Sequence, residues 1–159
     1  MRIIAGKARS LPLRAPEGLD TRPTSDQIKE TLFNMLQYDI PGCYFLDLFA
    51  GSGQLGIEAL SRGAESATFV DSSATSIKVI KQNLENTGFL ENSKVYQTDY
   101  SSFTAMSRDT FDIAFLDPPY AEGLLVPAIK SVLPLMSDYG TVVCEYPPEV
   151  EIPESIGGF

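Results

Sequence analysis

The sequence contains no histidine and only two cysteines, Cys43 and Cys144. Without histidine the chain lacks the commonest general base, so any catalysis has to use carboxylates, backbone groups or a cofactor. Two cysteines without histidine cannot form an ordinary zinc site. Both cysteines lie in or beside apolar runs, so we interpret them as small buried side chains and expect no metal site.

Long hydrophobic runs are also missing. No apolar run approaches the roughly 20 residues that a membrane span needs, and the opening residues MRIIAGKARS lack the apolar core of a signal peptide. We therefore expect no membrane partner and a cytoplasmic location. With 159 residues, of which 43% are hydrophobic, the chain has the size of one globular domain with a real core.

Basic residues are scarce and unevenly placed. The chain has 21 acidic and 12 basic residues, and from Asp109 onward Lys130 is the only base against nine acids. Residues 1–16 carry no acid but four bases, namely Arg2, Lys7, Arg9 and Arg14. An acidic protein can still bind nucleic acid where its cations are concentrated, although a solvated basic terminus explains the same pattern.

Short apolar strands alternate with helical patterns from residue 44 onward. The strands are YFLDLF, ATFVD, KVYQTD, FDIAFLD and GTVVCEY, and the helices are GQLGIEALSRG, SATSIKVIKQNLENTG and GLLVPAIKSVLPLM. This alternation predicts an α/β fold with a mostly parallel, doubly wound sheet. Before it, RIIAG and SLPL predict a small β-hairpin. Thr24 and Gln27 predict a capping box for a helix that ends before Pro41-Gly42.

Four aspartates fall at the carboxyl ends of predicted strands, namely Asp47, Asp71, Asp99 and Asp117. The carboxyl ends of parallel strands meet at one edge of a sheet, where such folds bind ligands. Each aspartate alone could cap a helix or occupy a turn. Together the four carboxylates favour a binding site at that edge.

The loop GSGQLG, residues 51–56, matches the glycine pattern of dinucleotide-binding folds, and Asp71 has the matching spacing. A pyrophosphate bound there would be repelled by Asp47. S-adenosylmethionine carries a positive sulfonium and ammonium, so Asp47 and an acid at Asp71 facing the ribose hydroxyls would both be favourable. Asp99 could accept from the adenine amine. The pattern favours the methyl donor, with a nicotinamide-dependent oxidoreductase as the alternative from another class.

The tetrapeptide Asp117-Pro118-Pro119-Tyr120 follows the fourth predicted strand. Its prolines fix φ and lack an N–H, so the turn is stiff and presents acceptors. Asp117 and the Pro118 carbonyl could hold the two N–H groups of an exocyclic base amine, and stacking on Tyr120 would contribute about 1–3 kcal/mol. This arrangement predicts N-methylation by orientation of the amine, and a merely rigid loop is the alternative.

The motifs DLFAGSG and DPPY, with the N-terminal RIIAGKARSLPL…TRPTSDQIKETLFNML, resemble the RsmD-type ribosomal RNA methyltransferases. The resemblance runs from Arg2 to about Tyr146. It implies a Rossmann-like class I methyltransferase fold and S-adenosylmethionine as cofactor. It also implies methylation of the exocyclic N2 of a guanine in bacterial 16S rRNA, as free RNA or in an assembling small subunit.

The resemblance assigns candidate residues to three roles. Catalysis is expected at Asp117, Pro118, Pro119 and Tyr120. Cofactor binding is expected at Asp47, Phe49, Ala50, Gly51, Ser52, Gly53, Asp71, Asp99, Tyr100 and Thr24. RNA binding is expected at Arg2, Lys7, Arg9, Arg14 and Arg22.

The resemblance also sets expectations for the organisation of the chain. We expect one methyltransferase domain over residues 1–159, with residues 1–20 as an RNA-binding hairpin and residues 21–159 as the catalytic core, in a monomer. The family pattern continues past the fifth strand, so we expect that C-terminal strands are missing after EYPPEVEIPESIGGF. DNA adenine-N6 methyltransferases share DPPY, so a DNA enzyme is one alternative, and a catalytically idle RNA-binding module is another.

Overall fold

A five-stranded parallel sheet forms the centre of the structure, a computed structural model that describes residues 1–17, 25–119, 123–146, 153 and 155–156. The strands are β1 (Tyr44–Asp47), β2 (Ser66–Asp71), β3 (Ser93–Gln97), β4 (Phe111–Leu116) and β5 (Met136–Cys144). The helices are α1 (Asp26–Met35), α2 (Gln54–Ser61), α3 (Ala74–Thr87), α4 (Tyr100–Met106) and α5 (Leu125–Val132). The spatial order is β3-β2-β1-β4-β5, which confirms the predicted α/β fold.

Side chains alternate between the two faces of the sheet along each strand, and this divides the hydrophobic core into two layers. Phe45 of β1 packs with Phe33 of α1 and Ile80 of α3 on one face. Leu46, the next residue, packs with Phe103 of α4 and the helix α5 on the other face. Successive side chains of a strand point to opposite faces, so both faces of this parallel sheet are covered by helices.

The helix starts follow local side-chain chemistry. The hydroxyl of Ser25 accepts a hydrogen bond from the Ile28 N–H at 3.3 Å and caps α1. The predicted cap at Thr24 is therefore wrong by one residue, and Thr24 itself lies outside the described residues. Two adjacent hydroxyl residues offer equivalent acceptors, so the sequence alone does not separate them.

Two elements differ from the sequence prediction. The helix α4 was not predicted, because YSSFTAM is short and has little apolar periodicity. The apolar spacing predicts that LPLM continues the last helix, whereas α5 ends at Val132, Leu133–Leu135 form a 3₁₀ turn and β5 begins at Met136. Pro134 lacks the N–H that a continuing helix would use.

The first residues form a hairpin-like loop with one antiparallel bridge, between Arg2 and Pro12, where two strands were predicted. Backbone hydrogen bonds still join its arms, because the Ile3 N–H donates to the Leu11 oxygen at 3.0 Å and the Leu13 N–H donates to the Met1 oxygen at 2.9 Å. Among the described residues, no helix has both the length and the apolar character needed to cross a membrane.

Candidate active site

The carboxyl edge of the sheet contains a topological switch point between β1 and β4. The chain leaves β1 between its two neighbours, because the Leu48 N–H donates to the Phe115 oxygen at 3.1 Å and the Ala50 N–H donates to the Val70 oxygen at 2.9 Å. Adjacent strands connect in opposite directions at this point, which leaves a crevice. The glycine loop is thereby held at the mouth of that crevice.

The two loop glycines have backbone conformations that side chains rarely adopt. Gly51 has φ of 58° and Gly53, the N-cap of α2, has φ of 79°. A Cβ on Gly51 would meet no atom within 4 Å, whereas one on Gly53 would lie 3.3 Å from Phe69 and Ile80. Gly53 therefore serves close packing, and the backbone of Gly51 borders open space that a ligand can approach.

Two backbone N–H groups of the loop donate hydrogen bonds to carboxyl groups. The Asp71 carboxylate accepts from the Gly51 N–H and from the Ser73 N–H, both at 2.9 Å. The Asp47 carboxyl accepts from the Gly56 N–H at 3.2 Å. A bound pyrophosphate would need free amides at this loop, so the arrangement argues against the nicotinamide alternative.

Asp47 is a buried acid, with only 2% of its surface exposed. Burial is the main cause that raises its pKa to about 8. The hydrogen bond from Gly56 lowers the pKa, and the charges of Asp71 and Asp117 raise it. The charged form of such a carboxyl is disfavoured until a positive group lies beside it. Asp47 is therefore suited to a cationic ligand.

Asp117 is half-buried and follows β4, with Pro118 buried and Pro119 exposed. Burial raises the pKa of Asp117 to about 6, and the charge of Glu145 adds to the increase. Tyr120 lies outside the described residues. The sequence prediction omits Glu145, although this residue lies near the carboxyl end of the fifth predicted strand and directly follows β5 in the structure.

Asp99 is the N-cap of α4. Its carboxylate accepts from the Ser101 hydroxyl at 2.6 Å, the Ser102 N–H at 2.8 Å and the Ser102 hydroxyl at 2.8 Å. These bonds, the one from Ser101 first, lower the pKa of Asp99 to about 2. The structure thus gives Asp99 a structural role, and its contact with adenine stays a prediction. Nearby, the rings of Phe49 and Tyr100 pack with centroids 5.6 Å apart.

Comparison with known proteins identifies the family. The pattern of a family described as "Conserved hypothetical protein 95" matches residues 1–159. The chain is 43% identical to YlbH of Bacillus subtilis, over 99% of this chain and 88% of that protein. It is 39% identical to ribosomal RNA small subunit methyltransferase D of Escherichia coli K12, over 91% of this chain and 71% of the relative. The chain belongs to the RsmD-type methyltransferase family.

A solved structure supports the fold of this family for the chain. The Escherichia coli protein yhhF superposes with a TM-score of 0.85 at 37% identity, over 97% of this chain and 86% of that one. The agreement covers nearly all of the chain. The Rossmann-like class I methyltransferase fold is therefore confirmed.

The predicted RNA-binding cations of this RsmD-type chain do not share one environment. Arg2 forms an ion pair with Asp26 of α1 at 3.1 Å. Lys7, Arg9 and Arg14 are exposed. Arg22 lies outside the described residues. Three described cations therefore remain available to an anionic partner, and Arg2 instead ties the N-terminal loop to α1.

Buried polar side chains that the sequence did not reveal anchor this N-terminal loop. Glu58 of α2 accepts from the Ile4 N–H at 2.8 Å and the Ala5 N–H at 3.1 Å. Asn83 of α3, which is 1% exposed, accepts from the Arg14 N–H at 2.9 Å. The Asn83 amide also donates to the carbonyl oxygens of Arg14 at 3.0 Å and Ser52 at 2.9 Å. The basic loop is thus fixed against the glycine loop.

A polar groove of about 530 Å³ lies at the opposite, amino-terminal edge of the sheet. Its lining includes Tyr44, Lys94, Arg108 and Asp109, and none of the predicted site residues. Lys94 and Asp109 pair across it at 3.0 Å. The family motifs and the unusual carboxyl groups lie at the other edge of the sheet, away from this groove. We therefore assign the candidate active site to the carboxyl edge.

Proposed function

We propose that this chain is an S-adenosylmethionine-dependent methyltransferase that modifies the exocyclic N2 amine of a guanine in 16S rRNA. The observation that carries the proposal is that Asp47 ends β1 and Asp117 directly follows β4, and these two neighbouring strands border the switch point, with Asp47 paired to Phe115. A cation-binding acid and an amine-orienting turn thus belong to the same crevice. The name of the Escherichia coli relative supports small-subunit ribosomal RNA as the substrate. The guanine and its N2 atom follow from the family resemblance.

The acidic residues beside the glycine loop fit S-adenosylmethionine. Asp47 supplies a buried acid for a positive group, and Asp71 supplies an acceptor for ribose hydroxyls at the neighbouring strand end. Gly51 borders open space on the side where a Cβ would project. The bound cofactor would supply an electrophilic methyl group, and the loop would hold it beside the Asp117 turn.

The Asp117-Pro118 turn would orient the substrate amine. An aromatic amine is a poor nucleophile because its lone pair is delocalised into the ring. Asp117 and the Pro118 carbonyl offer two acceptors, and neither proline offers a competing N–H. Holding both N–H groups would direct the nitrogen lone pair away from these two acceptors. Catalysis would then come mainly from orientation of the amine. Asp117 has to be unprotonated to accept.

The N-terminal loop would supply the RNA contact. Lys7, Arg9 and Arg14 expose positive charge on an acidic protein with a net charge of −9. Because phosphate contacts give most of the nonspecific affinity for RNA, these cations can position the substrate. The target base would have to leave its stack to reach the crevice.

Methyl transfer to small ribosomal subunits tests the proposal. Subunits from cells that lack this enzyme are incubated with the protein and tritiated S-adenosylmethionine, and labelled nucleosides are identified. We expect label in N2-methylguanosine, and we expect Asp117→Ala to lose it. The matched control is Asp109→Ala, which removes an exposed aspartate at the opposite edge. Full activity of the Asp117→Ala variant would refute the orientation mechanism.

The alternative functions predict different results for the same purified protein. Methylation of duplex DNA at adenine would favour a DNA enzyme. Binding of NADH without binding of S-adenosylhomocysteine, measured by calorimetry, would favour an oxidoreductase. RNA affinity without turnover would indicate an RNA-binding module.

A further inference from the structure

We propose that Glu145 recognises the ring N1–H of the target guanine and so makes the site selective for guanine over adenine. This inference rests on the proposed function, because it assumes that the exocyclic amine of a purine lies at Asp117 and Pro118. It assigns a specificity-determining residue that the motifs do not contain.

Glu145 directly follows β5, as Asp117 directly follows the neighbouring strand β4. Leu116 of β4 is paired with Cys144 of β5, and the Glu145 N–H donates to the Leu116 oxygen at 3.1 Å. Glu145 is therefore the residue level with Asp117, one position beyond this pair. Neighbouring strands lie about 4.8 Å apart, so the two side chains start within reach of one ligand.

The two acids also belong to the same face of the sheet. Phe115 and Val143 pack into the core beneath α1, α2 and α3, whereas Leu116 and Cys144 pack into the opposite core. By alternation, Asp117 and Glu145 follow Phe115 and Val143 onto the first face. The electrostatic effect of Glu145 on Asp117 agrees with this placement.

Neither carboxyl group accepts a hydrogen bond from a side chain or backbone amide within the described ranges. Other acids of the chain are satisfied locally, as Glu58 is by the N-terminal amides and Asp99 is by Ser101 and Ser102. Two half-buried carboxyl groups side by side repel each other unless donors separate them. A ligand with two adjacent donors would relieve that repulsion.

Guanine has this arrangement of donors. Its N1–H lies next to the N2 amine, so a base whose amine is held by Asp117 presents N1–H to an adjacent acceptor. Adenine instead has an acceptor nitrogen at N1 next to its N6 amine. An ionised carboxylate offers acceptors only, so Glu145 would attract guanine and repel adenine at the same position.

An analogue of guanine without the N1–H tests the assignment. Once the modified nucleotide is mapped, small-subunit RNA is ligated with either guanine or 2-aminopurine at that position and reconstituted into subunits. 2-Aminopurine keeps the N2 amine but has an acceptor at N1. We expect wild-type kcat/KM to favour guanine by about 10- to 100-fold, as for loss of a charge-assisted hydrogen bond.

The substitution Glu145→Gln supplies an amide that can donate to N1 of 2-aminopurine. We expect it to reduce the preference for guanine by about 10-fold or more, by slowing guanine and accelerating 2-aminopurine. Glu65→Gln, at an exposed glutamate on the opposite edge, should leave the preference unchanged. Calorimetric binding of S-adenosylhomocysteine checks that each variant is folded. If Glu145→Gln fails this check, Glu145→Ala serves instead, with reduced preference expected from slower guanine methylation alone.

The outcomes separate this inference from the proposed function. An unchanged ratio in a folded Glu145 variant, with normal wild-type methylation of guanine N2, would overturn the role of Glu145 and leave the function standing. Wild-type protein that does not methylate guanine N2 would overturn both.

Discussion

The substitution Asp47→Asn should stabilise the ligand-free protein while it weakens cofactor binding. Asp47 is fully buried, and burial raises the pKa of its carboxyl from 3.8 to about 8. In the unfolded chain the group ionises near its ordinary pKa, whereas the folded chain keeps it protonated to a much higher pH. The folded state therefore binds more protons than the unfolded state between these two values, and its stability falls as pH rises through that window.

The magnitude follows from the same shift. Each pKa unit corresponds to about 1.4 kcal/mol, so the carboxyl costs the folded state about 4 kcal/mol at pH 7 relative to the unfolded chain. Asparagine has no charge to bury, and its side-chain oxygen can still accept from the Gly56 N–H. We expect the free energy of unfolding of the variant to exceed that of wild type by about 2–4 kcal/mol near pH 7, and by little near pH 4.

Urea denaturation at several pH values measures this difference. Asp109→Asn is the control, because that aspartate is exposed and its loss should change stability by less than about 0.5 kcal/mol. The same samples are titrated with S-adenosylhomocysteine, for which we expect the Asp47→Asn variant to lose about 10-fold in affinity. A variant no more stable than wild type at neutral pH, with unchanged cofactor affinity, would refute the assignment of Asp47 as a buried acid reserved for a cation.

Three further predictions concern the turn, the RNA contact and the N-terminal loop. The pH profile of kcat/KM should decline below about pH 6, because protonated Asp117, whose pKa is raised by burial and Glu145, cannot accept from the amine; a flat profile down to pH 5 would exclude this role. Arg9→Glu should weaken RNA binding and lower the slope of its salt dependence by about one, without affecting the binding of S-adenosylhomocysteine. Arg108→Glu, at the other edge of the sheet, should not have this effect on RNA binding. Equal losses of RNA affinity in the two variants would contradict the RNA contact at Arg9. Gly6→Ala should cost about 1–3 kcal/mol more than Gly42→Ala in urea denaturation. Both glycines have positive φ, but a Cβ on Gly6 would overlap the backbone oxygen of Ser61, whereas a Cβ on Gly42 would face open space. Equal costs would mean that the N-terminal loop moves away from Ser61 to accommodate the methyl group.

Much of this fold and site was predictable because it depends on local patterns. Strands that alternate with helices determine a parallel sheet, and the ends of parallel strands meet at one edge. That reasoning located Asp47, Asp71 and Asp117 together. By the same rule Glu145, near the carboxyl end of the fifth predicted strand, belongs to this edge, although the prediction omits it.

The remaining features depend on contacts between distant parts of the chain. Asn83 bonds to Arg14 across 69 positions and Glu58 bonds to Ile4 across 54, and no periodicity marks such pairs. Asp99 resembled the other strand-end acids, but its two following serines make it a helix cap. The sequence does not predict the early start of β5, because LPLM continues the apolar spacing of α5.

We propose that the stiff acceptor turn at Asp117 directs methyl transfer to the N2 amine of one guanine. Mass-spectrometric mapping of rRNA from cells that lack the gene, and from the same cells expressing either wild type or Asp117→Ala, tests it most directly. We expect one N2-methylguanosine of the small subunit to disappear with the gene, to return with wild type and to stay absent with the variant. An unaltered set of small-subunit modifications, or full restoration by Asp117→Ala, would contradict it.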